Sequence, residues 1–230
     1  MTTRIVMLVF PDLDQLDLTG PFEVLSRLPG AQVQLAWKKT KPIRDTAGLT
    51  LVPDVKFSKL EGCDVLVVPG GPGQLALMED EETLAFLRRM AKDARYVTSV
   101  CTGALLLGAA GLLMGYRATT HWLSLEQLSL LGAIPVGERV VMDGNRLTCA
   151  GVTSGIDFAL VLARELAGEN EARRIALSME YDPRPPFPPF ADEDPRLVEE
   201  VRLRTEDFQR RRVAVARAVG ARLLNRPDTP

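Results

Sequence analysis

Val97-Thr98-Ser99-Val100-Cys101-Thr102-Gly103-Ala104 is the stretch that decides how this chain folds. Tyr96 to Val100 is rich in β-branched residues and reads as a short buried strand. Gly103 to Ala110 reads as a buried helix with one small-residue side. Cys101 therefore falls on the turn between them, at a helix N-terminus, where unpaired N–H groups and the helix dipole favour an anion. Cysteines in such places commonly have depressed pKa values and are nucleophilic, so the stretch predicts a nucleophile elbow with sulfur in place of a serine oxygen. The alternative is an inert core cysteine.

On either side, Ile5 to Phe10 and Val65 to Pro69 are continuous apolar runs, as expected of strands buried on both faces of a parallel sheet. Val33 to Trp37 reads as another strand, Leu49 to Pro53 as an edge strand or hairpin arm, and Glu79 to Ala94 as helix. Pro11 to Gly20 reads as a loop carrying Asp12, Asp14 and Asp17, followed by a helix capped near Thr19 or Gly20 with Pro21 in its first turn. Downstream, Arg117 to His121 reads as a short strand and Leu123 to Leu130 as helical. Arg139 to Thr148 reads as a hairpin with an Asp-Gly turn, and Gly155 to Leu166 as a buried helix. Strands alternating with helices predict a doubly wound α/β fold with a mostly parallel sheet. Ligands bind beyond the carboxyl ends of such strands, so the Asp17 loop, Gly70-Gly71-Pro72-Gly73 and the Cys101 turn are expected to converge on one small pocket. The glycine loop lacks the Lys-Ser/Thr of a phosphate loop, which leaves close backbone approach, with an N–H in the pocket, as its use. Thr102 offers a backbone N–H to developing charge and a hydroxyl to a substrate. Asp17 has an alternative as a simple helix cap.

With 46% apolar and 25% charged residues among 230, and a net charge of −2, the composition is that of a globular chain with no general affinity for nucleic acid or membrane. No apolar run reaches the length of a membrane span, and the N-terminus has no signal-peptide pattern. Cys63, Cys101 and Cys149 have no metal-like spacing, which suits reduced thiols in a cytosol; Cys63 and Cys149 read as inert. His121 is the one histidine, so a multi-histidine metal site is excluded and any Cys–His catalysis must use it, either as a reacting group or as a support. Five prolines between Pro183 and Pro189 keep Asp182 to Asp194 extended, and Asp194 then caps a long helix reaching about Leu224. Its Arg196, Arg202, Arg204, Arg210, Arg211 and Arg212 alternate with Glu199, Glu200, Glu206 and Asp207. They read as a solvated, ion-paired face, with a subunit-contacting arm as the alternative. The expected division is an α/β domain over 1–181 and a proline-rich segment with its helix over 182–230.

Four motifs resemble the ThiJ/PfpI superfamily, and the resemblance runs to about Tyr181: Gln15 to Pro21, Pro69 to Gly73, Thr98 to Gly103, and Ala118 to Trp122. It implies a flavodoxin-like α/β fold and a homodimer. Asp17-Leu18-Thr19-Gly20-Pro21, Cys101-Thr102-Gly103 and Thr119-Thr120-His121-Trp122 are most similar to the isonitrile (isocyanide) hydratase branch. Transcription regulators with an appended helix-turn-helix domain share the pattern, for which this chain is too short. Protease-like members usually carry histidine directly after the cysteine, where Thr102 stands here. Cys149-Ala150-Gly151 departs from the small, glycine-rich turn expected after the hairpin. The implied activity is hydration of a small-molecule isocyanide to an N-substituted formamide, with no metal and no organic cofactor. Cys101 would be the nucleophile, Asp17 the acid and then the base, and backbone N–H groups near Gly71 and Thr102 would hold the substrate or its charge. The rival activities are a glyoxalase or deglycase acting on 2-oxoaldehydes through Cys101, and a non-enzymatic redox sensor or chaperone.

Overall fold

The computed structural model describes residues 2–225. Its strands are β1 (Thr3–Leu8), β2 (Ala31–Trp37), β3 (Ile43–Arg44), β4 (Thr50–Leu51), β5 (Val55–Lys56), β6 (Val65–Val68), β7 (Tyr96–Val100), β8 (Arg117–Ala118), β9 (Ile134–Pro135), β10 (Val140–Asp143) and β11 (Arg146–Cys149). Its α-helices are α1 (Gln15–Leu25), α2 (Gln74–Leu77), α3 (Glu81–Ala91), α4 (Gly103–Ala109), α5 (Gln127–Leu130), α6 (Ser154–Ala167), α7 (Glu169–Ser178) and α8 (Pro195–Leu224).

A seven-stranded sheet in the order β10-β11-β7-β6-β1-β2-β5 forms the core. All its pairs are parallel except the β10–β11 hairpin at one edge. The apolar runs of β1 and β6 are buried along Ile5–Leu8 and Val65–Val68, because helices cover both faces of the centre. The Leu49–Pro53 segment is the hairpin arm of the alternative reading: β4 pairs antiparallel with β3 outside the main sheet.

Two local readings need correction. Asp17 lies in the first turn of α1 rather than in a loop, and the cap is Asp14, whose side chain accepts the Leu16 N–H. Pro21 consequently sits inside the helix. Proline there leaves the Asp17 carbonyl without its usual i+4 donor, and the site is used for packing instead: a Cβ on Gly155 of α6 would lie 3.2 Å from Pro21 Cδ. The two-residue turn of the β10–β11 hairpin falls on Gly144-Asn145 rather than on Asp143-Gly144, since Asp143 pairs with Arg146.

The chain beyond α7 runs through the proline-rich segment 182–194, where Phe190 meets Trp122, into α8, with Asp194 capping the Arg196 N–H. The first half of α8 is exposed. Its second half packs on α4 and α5 through Arg212, Ala216, Val219, Gly220 and Leu223.

Candidate active site

Strand β7 delivers Cys101 to the carboxyl edge of the sheet, directly between β6 and β11. Cys101 has φ = 54°, the left-handed conformation that a non-glycine side chain rarely adopts. Three hydrogen bonds fix that geometry. The Cys101 N–H is shared between the carbonyls of Cys149 (3.2 Å) and Ala150 (2.9 Å), and the Thr120 hydroxyl donates to the Cys101 carbonyl at 2.7 Å. Gly103 is required behind it, because a Cβ there would fall 2.0 Å from the Val68 carbonyl oxygen.

The three expected loops do meet. Gly70 N–H donates to Asp17 Oδ2 at 2.9 Å, and Gly71 N–H donates to Thr102 Oγ1 at 3.1 Å. The approach is so close that a Cβ on Gly70 would lie 2.5 Å from Thr102 N and 2.9 Å from Asp17 Oδ2. Gly71, at φ = 116°, lies against the backbone of Leu13 and Asp14. Its N–H is thus engaged in orienting Thr102, while the Thr102 N–H is directed at the Cys101 sulfur.

The electrostatics reverse one expectation. The Cys101 thiol is held well above its ordinary pKa, first by burial and then by the neighbouring Asp17 carboxyl. The dipole argument fails for local reasons: α4 has only seven residues, the thiol is 5% exposed, and the Thr102 N–H offsets only part of the desolvation. Asp17 is fully buried and its pKa is pushed up to about 8, by desolvation first and by Asp14 second, against the lowering effect of the Gly70 N–H. The carboxyl and thiol lie side by side, and at neutral pH the pair rests with both protons on.

His121 stands at the edge of this arrangement. Its Nδ1 accepts the Leu123 N–H at 3.3 Å, which puts the ring proton on Nε2. Burial and Arg212 lower its pKa, so it is neutral at pH 7. The ring abuts the turn after β11, where a Cβ on Gly151 would lie 3.2 Å from His121 Cδ2. Cys149 ends β11 within the core, and Cys63, just before β6, is buried with its Sγ on the Met90 carbonyl; burial pushes both thiols up to about 12.

The sequence reading did not find the cavity of about 600 Å³ next to the elbow. Thr120 and Ala150, the residues that hold the Cys101 backbone, line it together with Trp122, Leu125, Val152 and Phe190. The Trp122 and Phe190 rings are 5.4 Å apart. Phe190 comes from the segment after the prolines, so no local motif joins it to Trp122.

Comparison with known proteins matches residues 3–165 to the DJ-1/PfpI family. The chain belongs to the DJ-1/PfpI family. It is 50% identical over 225 residues to the isonitrile hydratase of Pseudomonas putida, covering 97% of this chain and 99% of that protein. A crystal structure of a THiJ/PfpI family protein from Pseudomonas syringae superposes with a TM-score of 0.90 at 40% identity, covering 94% of this chain and 91% of that one. More distant DJ-1/PfpI relatives stop short: a glutathione-independent glyoxalase of Caenorhabditis elegans is 27% identical over 75% of this chain and 93% of its own length. Among the described residues no helix is long and apolar enough to cross a membrane, and no cluster of three His, Cys, Asp or Glu could hold a metal ion.

Proposed function

We propose that this chain is an isonitrile hydratase, which adds water to R–N≡C and releases R–NH–CHO. The observation that carries the reading is the 50% identity to the Pseudomonas putida enzyme across nearly the full length of both chains. The paired Asp17 and Cys101 supply chemistry that fits it.

In this mechanism Cys101 is the nucleophile. An isocyanide carbon becomes electrophilic once the carbon or nitrogen is protonated, and Asp17, with its pKa near 8, holds the required proton at pH 7. Asp17 protonates the terminal carbon, sulfur bonds to it, and the thiol proton returns to Asp17. The product is a thioimidate, R–N=CH–S–Cys101. Asp17 next protonates the imine nitrogen and, as carboxylate, takes a proton from the attacking water. Collapse of R–NH–CH(OH)–S–Cys101 moves the hydroxyl proton to sulfur, releasing the formamide and restoring the thiol. The Thr102 N–H supports charge on sulfur, Gly71 orients Thr102, and neutral His121 supports the turn after β11. The R group enters the Trp122–Phe190 cavity, whose lining suits an apolar or aromatic substituent.

The same reading takes the chain as a cytosolic homodimer, with a catalytic domain over 1–181 and a C-terminal arm over 182–230. Three free cysteines suit a reducing cytosol, the family match ending at residue 165 leaves the C-terminal arm outside the matched domain, and the dimer rests on the family resemblance alone. The test is formamide production from an aryl isocyanide by purified protein beside Cys101→Ala and Asp17→Asn. Turnover by wild type alone is expected. Inactive wild type with Cys101 reduced would overturn the reading, and turnover of methylglyoxal instead would move it to the glyoxalase class.

A further inference from the structure

The proline segment and the first half of α8 are tied to the α/β domain through one side chain, Trp122. From Pro183 to Phe208 no hydrogen bond or ion pair reaches the domain among the described residues. Those made there, such as the Asp192 N–H to the Pro189 carbonyl and Arg204 to Glu200, stay within the segment and the helix. Hydrogen bonds to the domain resume at Gln209, whose Oε1 accepts from Ser124 and Gln127. Before that point the contacts are aromatic. Phe190 rests on Trp122 with ring centroids 5.4 Å apart, and the Arg202 guanidinium lies 4.9 Å over the same indole.

Trp122 is the fixed side of this contact. It opens the short 3₁₀ turn Trp122–Ser124, in which the Ser124 N–H donates to the His121 carbonyl at 2.8 Å. Phe190 is the loose side and stays 64% exposed, so most of its apolar surface is still in water. Both rings line the cavity of about 600 Å³, and Pro189 and Ala191 line it with Phe190. One wall of the cavity therefore belongs to a strap held by a ring contact alone. The volume lies in the range that takes drug-sized ligands, far more than a methyl group fills. At 5.4 Å the two rings touch, so a substituent packs beneath them rather than between them.

We propose that Phe190 is a specificity-determining residue: the strap carries it as a movable outer wall that closes on a large aryl substituent and leaves a small alkyl one loosely held. Opening breaks only the contact with Trp122, and a bound aryl ring covers apolar surface that Phe190 now exposes. The prolines stiffen the strap, so Phe190 moves together with its neighbours. The proposal rests on the hydratase reading for the group that fills the cavity.

The experiment reads the wall without turnover. Phe187 precedes a proline, so Phe190–Ala191 is the bond after a strap aromatic that chymotrypsin can cut, and cutting it requires Phe190 to leave the cavity. In the full chain, N-(2-naphthyl)formamide at about ten times its dissociation constant should slow that cut roughly tenfold, by mass action on the open form. N-methylformamide should leave it unchanged, with a chromogenic peptide cleaved alongside to correct for effects on the protease. A bond that resists cutting without ligand, or is cut equally fast with either formamide, overturns the proposal. In turnover, Phe190→Ala should raise KM for 2-naphthyl isocyanide about tenfold with kcat within a few fold, and move kcat/KM for methyl isocyanide less than about twofold. Phe190→Tyr should keep the wild-type preference. An equal change for both substrates also overturns the proposal. Protection without any turnover by wild type would keep the closing wall and sink the hydratase reading; turnover without protection would do the reverse.

Discussion

Asp17→Asn should stabilise the fold at neutral pH while abolishing turnover. Asp17 ionises near 3.8 in its ordinary state and near 8 in the folded protein, because it is fully buried beside Asp14, against the lowering hydrogen bonds of the Gly70 N–H and the Cys101 thiol. Between those values the folded chain keeps a proton that the unfolded chain has released. The contribution of Asp17 to folding stability is therefore greatest below about pH 4, falls as pH rises, and levels off near pH 8. At about 1.4 kcal/mol per unit, the gap at pH 7 amounts to about 4 kcal/mol. Asparagine does not titrate, and its side-chain oxygen can still accept the Gly70 N–H. Urea unfolding of both proteins at several pH values between 4 and 8 reads the effect directly. The value near pH 4 isolates what the amide itself costs, and the variant should gain on wild type steadily from there. A stability difference independent of pH across that range would refute a proton held by buried Asp17. The acid role assigned to Asp17 in turnover would go with it.

Three other perturbations follow from the packing. Gly70→Ala puts a methyl 2.5 Å from Thr102 N and 2.9 Å from Asp17 Oδ2, and displacing either by about 1 Å should lower kcat on the order of a hundredfold; steady-state formamide formation checks it, with circular dichroism to show an intact fold. Gly220→Ala puts a methyl 1.8 Å from the Leu130 carbonyl oxygen and should lift α8 from α5, taking Arg212 with it. Thermal unfolding followed by circular dichroism should show a lower Tm for that variant; an unchanged Tm would contradict the contact. Trp122→Ala opens the apolar cavity beside Phe190 and should raise KM for an aryl isocyanide by about tenfold while leaving kcat within a few fold, since it removes one aromatic contact to the R group and no reacting atom.

The parallel core was legible because strands buried on both faces must be continuously apolar, as Ile5–Leu8 and Val65–Val68 are. Convergence of Asp17, Gly70 and Cys101 followed from the rule that ligands collect beyond strand ends. Pro21 misled the reading of α1: a proline inside a helix is uncommon, and here Gly155 leaves room for its ring. α7 was missed because Glu169 to Ser178 is mostly polar, burying only Ala172 and Ile175. Arg212 was absorbed into a run of exposed ion pairs. Yet it shares a helical stripe with Ala216, Val219 and Leu223, and a charge on an apolar stripe was the signal to follow. Phe190 had no such signal, since its pairing with Trp122 depends on the route of the proline segment.

The neutral resting pair also separates addition chemistry from redox sensing. Peroxide reacts with thiolates, and a sensing cysteine needs a low pKa and access to solvent. Cys101 has the reverse on both counts: it is 5% exposed, and burial together with Asp17 keeps its proton on. An isocyanide is uncharged, enters an apolar cavity without a desolvation penalty for charge, and takes up a proton as sulfur bonds to it. A protonated carboxyl beside a protonated thiol supplies both parts of that addition, whereas a pre-formed thiolate beside an ionised Asp17 would lack the acid. Hydrogen peroxide at neutral pH should consequently oxidise Cys101 no faster than free cysteine, as read by mass spectrometry of the intact chain. Oxidation faster than free cysteine would mean that the thiolate is already formed at rest. The doubly protonated resting pair would then fail, and the chemistry of the site would turn toward a redox role.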